Sequence, residues 1–325
     1  MLASQINHNP DCATFAVKTS EEITPSGRIV EEQLDRHLEA IEKAFGGNAV
    51  AFIGPLFFGV DESIRDAIEW IHRPRAGAKR SSVIIKRPKL LVLLDTPGGY
   101  SQVVERIADC MHKHFDAVEF IVPNRAMSAG TILAMAGDEI WMNYFSVLGP
   151  IDPQVEGPKG ELIPAHGYLV QYERLVEKSR KNKITVAELQ FLVQKFDPAE
   201  LYQYEQEMNL SVTLLRKWLV EYKFRNWVQT EGRHRKVTLR MKRKCAESVA
   251  HNLNNTTKWH SHGRGISMEV LRQDVKLRIQ DFGADAEKNK SVMDYYKLLT
   301  DYMGKLATRV TVHAVEKFDL LRYLR

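Results

Sequence analysis

The chain has 325 residues, 44% hydrophobic and 27% charged, with a formal net charge of +5, a balance ordinary for a soluble globular protein of one large or two modest domains. No stretch approaches the ~20 apolar residues of a membrane-spanning helix, and residues 1–10 have neither a basic n-region nor an apolar h-region. Cys12, Cys110 and Cys245 show no metal or redox spacing, so reduced thiols in the cytoplasm are expected.

Residues 1–25 are polar and read as a tail or a strap on a neighbouring subunit. Apolar residues then recur at helical spacing (Ile29, Leu34, Leu38, Ile41, Phe45), and Gly46-Gly47 ends that helix. A buried strand at 49–53 and a helix over 60–72, opened by Asp61-Glu62, follow. Between 73 and 89 lies a basic loop (Arg73, Arg75, Lys79, Arg80, Lys86, Arg87, Lys89). A second basic run spans 233–244 (Arg233, Arg235, Lys236, Arg240, Lys242, Arg243, Lys244). Aromatic residues are not interleaved with either run, so nucleic-acid binding is disfavoured and solvated faces are expected.

Residues 90–94 are apolar throughout, as in a strand covered on both faces of a parallel sheet. A helix over 101–115 and strands at 118–122 and 140–142 continue a strand–helix alternation, which predicts an α/β fold. Residues 154–167 read as a loop, and 168–181 as a helix. Asp197-Pro198 opens a long helix to about 222, and another helix covers 239–252. A short helix at 267–274, a strand at 275–279, a final helix from 286 to about 310 and a short tail close the chain.

Two turns hold the candidate chemistry. Asp95-Thr96-Pro97-Gly98-Gly99 ends a buried strand and opens a helix, leaving backbone N–H groups in the crevice where α/β sheets bind ligands. About thirty residues on, Ala126-Met127-Ser128-Ala129-Gly130 again joins strand to helix. Ser128 there is either a helix cap or a nucleophile, with the N–H groups of Gly99 and Ala129 as donors to an oxyanion.

Together with Ala136-Gly137-Asp138-Glu139-Ile140 and Leu148-Gly149-Pro150-Ile151-Asp152-Pro153-Gln154, this pair of turns resembles the Clp/crotonase superfold. More closely it is similar to the soluble serine dehydrogenase proteinases, peptidases related to signal-peptide peptidase A. The resemblance covers about 48–155 and resumes at Trp259-His260-Ser261-His262-Gly263-Arg264 through Ile279. It implies an α/β Clp/crotonase-like core with a parallel sheet and flanking helices over 26–283, a helical insertion at about 168–255, and a helical extension over 284–325.

The resemblance further implies a serine endopeptidase that uses a Ser–Lys dyad, with Ser128 as nucleophile and Gly98, Gly99 and Ala129 as the oxyanion turn. Lys183 is the base favoured by alignment of the long helix; Lys178, Lys181 and Lys195 are the other candidates. A peptide or protein substrate and a homo-oligomer are implied, with no cofactor and no metal. A Clp-type Ser-His-Asp triad is disfavoured because no histidine lies between His114 and His166. Asp152 then reads as a loop-shaping residue, and His260 and His262 as parts of a structural turn. Two other functions remain: a scaffold or nucleic-acid-associated module with a decayed site, and a crotonase-like enzyme acting on acyl-CoA.

Overall fold

Leu90 to Leu94, each at most 3% exposed, form the middle of the main sheet. In the computed structural model, residues 15–18, 24–73, 87–152, 154–156, 162–230, 232 and 234–324 are described. The basic loop at 74–86 and most of the N-terminal tail lie outside them.

In chain order the elements are β1 (Phe15–Lys18), α1 (Pro25–Phe45), β2 (Asn48–Ile53), α2 (Val60–Ile71), β3 (Arg87–Asp95), α3 (Ser101–His114), β4 (Phe115–Ile121), β5 (Arg125–Ala126), α4 (Ala129–Ala134) and β6 (Glu139–Met142). Next come β7 (Val147–Leu148), β8 (Gln154–Glu156), β9 (Leu162–Pro164), α5 (Ala165–Arg180), α6 (Val186–Lys195), α7 (Pro198–Trp218) and a π-helical turn at Leu219–Lys223. The chain ends with α8 (Leu239–Leu253), α9 (Thr256–Trp259), β10 (Ile266–Ser267), α10 (Met268–Gln273), β11 (Gln280–Asp281), α11 (Ala286–Lys305), β12 (Val310–Ala314) and β13 (Lys317–Leu324).

The eight-stranded sheet has the order β1-β13-β12-β2-β3-β4-β6-β11. Strands β2, β3, β4, β6 and β11 are parallel, and β12, β13 and β1 are added antiparallel at one edge. Alternate residues of β3 face two cores. Leu90, Val92 and Leu94 pack with α2, α3, α4, α7 and α8; Leu91 and Leu93 pack with α1 and α11. Parallel strands put all their C-terminal ends on one rim, and the two turns singled out in the sequence lie there.

Several expectations are corrected. The final 286–310 helix stops at Lys305, and β12 and β13 follow it as a hairpin that extends the main sheet. β-Branched Val310, Thr311 and Val312 suit a strand better than a last helical turn. The strand expected at 275–279 makes no ladder; pairing falls instead on Gln280 and Asp281 beside β6. The 154–167 loop contains the antiparallel pair β8–β9. Helix α6 was not foreseen, although Thr185 and Glu188 form a complete capping box at its start.

Two histidines are buried in this scaffold. His313 of β12 lies between the Tyr295 hydroxyl (2.8 Å) and the Asp35 carboxylate (3.0 Å), and burial holds its pKa below the usual 6.5. Burial and the neighbouring His72 likewise depress His114, whose Nδ1 has no hydrogen-bond partner. A depressed folded-state pKa means that the unfolded chain takes up protons first as pH falls. The contribution is therefore full above the unfolded value and is lost below it. Urea midpoints are expected to hold steady between about pH 7 and 8 and to drop as pH falls from about 6.5 towards 5. A midpoint unchanged or raised across that interval would contradict this.

Candidate active site

The Asp-Thr-Pro-Gly-Gly turn and the serine turn are joined along their backbones. Thr96 N–H donates to Arg125 O (2.9 Å) and Met127 N–H to Thr96 O (3.0 Å), a parallel bridge that aligns Thr96 with Ala126. Side chains add a second link on the α11 side. The Asp95 carboxylate accepts from Asn124 Nδ2 (3.3 Å) and from the Tyr296 hydroxyl, and Arg125 Nε lies 3.8 Å away.

Ser128 occupies the bend between β5 and α4 with φ 50° and ψ −118°, a conformation costly for a residue with a Cβ. Its side chain does not cap α4, and its hydroxyl bonds no other described residue. A capping serine would need extended backbone and an acceptor contact to the first helical turn. The bend instead leaves a half-buried hydroxyl at the head of a helix, the form of a nucleophile elbow.

Gly98, with φ 103°, packs directly beneath it. A Cβ on Gly98 would sit 2.8 Å from Met127 O and 2.8 Å from Ser128 Cβ. Gly99 (φ 152°) lies against Leu56, where a Cβ would meet the carbonyl oxygen at 2.3 Å. The Gly98 N–H is engaged with Thr96 Oγ1 (3.0 Å). The N–H groups of Gly99 and Ala129 have no acceptor among the described residues. Gly98→Ala is expected to destabilise the fold by about 1–3 kcal/mol and to disturb Ser128, because strain and overlap both act there. Comparing urea midpoints of the variant and the parent chain checks this; an unchanged midpoint would show that the turn can give way.

A small sheet, β10-β7-β5, lies across the rim. β7 runs parallel to β5 and β10 antiparallel to β7, with Ala126, Leu148 and Ile266 in register. Segments leaving β5 and β7 and the segment entering β10 therefore meet at one end of this sheet. They hold Ser128, Asp152 and His262. The Thr131 hydroxyl fastens the junction, within hydrogen-bond distance of Ala126 O (2.7 Å) and Gly149 O (2.9 Å) and accepting the Gly149 N–H. Ile151 N–H donates to Leu253 O (3.1 Å), which brings the C-terminal end of α8 to the same place.

Asp152 was expected to shape a loop. Loop-shaping aspartates accept backbone N–H groups, as Asp285 does at α11, but both Asp152 oxygens are buried without a hydrogen-bond partner among the described residues. His262 Nδ1 stands 3.1 Å from Asp152 Oδ1, close enough for an ion pair although too misaligned for a hydrogen bond. Their side chains are 11% and 1% exposed. A buried carboxylate beside only an imidazole among the described residues is expensive for stability. The two residues lie 110 positions apart (262 − 152), so only the register of β7 with β10 could have revealed them.

Lys183, by contrast, sits exposed in the turn between α5 and α6, its N–H bonded to Lys178 O. Lys178 pairs with Glu188 (2.5 Å) and Lys181 with Glu177 (2.9 Å), and Lys195 is exposed at the end of α6. Among the described residues Lys223 is a deeply buried lysine, but it pairs with Glu139 (2.9 Å) at the start of β6, on the rim away from Ser128. His166 lies in the first turn of α5, and its side chain lies outside the described residues. His260 is exposed, and among the described residues no three metal-binding side chains cluster. No helix among them is long and apolar enough to cross a membrane.

The chain is similar to known proteins over part of its length. Two uncharacterized proteins of Methanocaldococcus jannaschii are similar, one 39% identical over 87 residues and the other 36% identical over 93. These matches cover 27% and 29% of this chain, and the chain spans only 28% and 30% of the two relatives. A family described as ClpP-like SDH-type serine proteinase matches residues 79–188, which include both turns and Asp152. Over that segment the chain is similar to the ClpP-like SDH-type serine proteinases.

Proposed function

We propose that the protein is a serine endopeptidase. The observation that carries this reading is the strained, uncapped Ser128 set against Gly98, with two unused N–H groups beside it. A substrate strand would lie along the Gly98–Gly99 turn. Ser128 Oγ would attack the scissile carbonyl carbon as its proton passes to the base, and the Gly99 and Ala129 N–H groups would receive the oxyanion. The protonated base would then give its proton to the leaving amine, and water would repeat the sequence on the acyl-enzyme.

For the base, the Ser–Lys reading names Lys183. A lysine becomes a general base by burial, which disfavours its ammonium, and Lys183 is exposed in this chain. We therefore assign the base to His262, whose Nδ1 lies 3.1 Å from the Asp152 carboxylate, so that Nε2 is left for the serine. An assembly of several copies would be consistent with this role. The direct test is to treat the chain with a fluorophosphonate and map the adduct by mass spectrometry. The adduct is expected on Ser128. Its absence, together with measurable binding of an acyl-CoA thioester, would move the assignment to a crotonase-like enzyme; its absence without such binding would favour a decayed scaffold.

A further inference from the structure

Helix α8 opens on a concentration of exposed positive charge. Its first turn contains no acidic residue, although a helix N-terminus carries a positive partial charge that favours anions. Arg240, Arg243 and Lys244 form an exposed stripe at i, i+3 and i+4 spacing, and Arg235 and Lys236 continue it in the preceding loop. None of the five has an acidic partner among the described residues. Some exposed cations on other helices are paired, as in Lys178–Glu188, Lys290–Asp294 and Lys305–Asp301, while others such as Lys43 and Lys195 stand apart from one another. The nearest acidic side chain on α8, Glu247, lies 3.9 Å from Arg216 of α7. Like charges gathered at the positive end of a helix repel one another, and an anionic partner relieves that repulsion.

Two features indicate what that partner is. Exposed Val228 (65%) and Leu239 (53%) border the stripe, and Val237 N–H donates to Val228 O, so apolar and cationic groups share one surface. No aromatic residue lies in the stripe to stack on a base. A polypeptide with acidic and apolar side chains matches this surface better than a phosphate backbone does. The other end of α8 reaches the active rim through the Leu253–Ile151 hydrogen bond. Ten residues of helix, from Arg243 to Leu253, span about 15 Å. At about 3.3 Å per residue, an extended chain covers that interval in roughly five residues.

We propose that the Arg240–Arg243–Lys244 stripe with Arg235 and Lys236 is a docking site for an acidic segment of the polypeptide substrate, roughly five to eight residues from the bond that is cut. This rests on the peptidase reading and adds a substrate class to it. Docking so far from the reacting atoms acts on KM and leaves kcat unchanged.

The test uses the full chain and one unfolded acidic protein, reduced and carboxymethylated α-lactalbumin, in two forms: with its carboxylates free, or amidated with ethanolamine. KM for the free form is expected to lie about tenfold below that for the amidated form at low salt, since several surface pairs act together. The difference is expected to vanish by about 0.5 M salt. The R240Q/R243Q/K244Q variant, whose changes are all at exposed positions, is expected to lose the difference while its kcat on the amidated form stays unchanged. Equal KM values in the parent chain, or a difference that survives in the triple variant, would overturn the docking site. Competition by duplex DNA at concentrations equal to or below the free form would overturn the choice of partner. If neither form is cut, the peptidase reading fails on its own account. Anisotropy with labelled free-form protein then decides docking separately: salt-sensitive binding lost in the triple variant supports it, and no binding overturns it.

Discussion

Ser128→Ala is expected to abolish peptide hydrolysis and fluorophosphonate labelling, with turnover falling by about 10⁴-fold or more, because no other group in the site can form the acyl-enzyme. The fold is expected to persist. The Ser128 hydroxyl makes no hydrogen bond with a described residue, so its removal orphans no buried partner. Alanine also keeps the Cβ that sets the strain at φ 50°. Ser128→Gly separates the two properties: relief of the positive φ is expected to raise the urea midpoint while activity stays absent. Unchanged turnover in Ser128→Ala, with the urea midpoint also preserved, would remove Ser128 from the mechanism.

How far the sequence showed all this depends on the range of the interactions involved. Both rim turns were legible because each is a local strand–turn–helix signature, and Gly98 and Ser128 bear on each other through just such short segments. The central strands were legible from the unbroken apolar run at 90–94. Sheet edges were not. β12 adjoins β2 across more than 250 residues, and the pattern of 286–314 changes from helical to alternating without a proline or a strong break. Register also decides the strand near 280: Val275, Leu277 and Ile279 alternate as a strand would and are all buried, yet the ladder to β6 starts only at Gln280. The proposed base was the least legible part of the site. The family resemblance implied a lysine, whereas His262 and Asp152 meet only because β10 returns antiparallel to β7.

Removing the His262 imidazole separates the two accounts of the base. His262→Ala is expected to lower kcat by about 10⁴-fold or more with little change in KM, since a general base acts on the transition state and not on substrate binding. Asp152→Asn is expected to cost about 10³–10⁴-fold, because an amide at that position can no longer hold the imidazole in the tautomer that leaves Nε2 free. Lys183→Ala, an exposed position in a turn, is expected to stay within about twofold of the parent chain. The Ser–Lys account inverts this order: Lys183→Ala would be inactive, and His262→Ala would keep its rate. An inactive Lys183→Ala that regains activity when mixed with Ser128→Ala would assign the base to a neighbouring copy. Loss in His262→Ala alone would not discriminate if the variant failed to pack, because the imidazole shields the buried Asp152 carboxylate. The double variant His262→Ala/Asp152→Ala removes that buried charge along with the base, so it is expected to recover the urea midpoint but not the activity. Activity that returned with the midpoint would mean that the His262–Asp152 pair supports the fold and takes no part in the reaction.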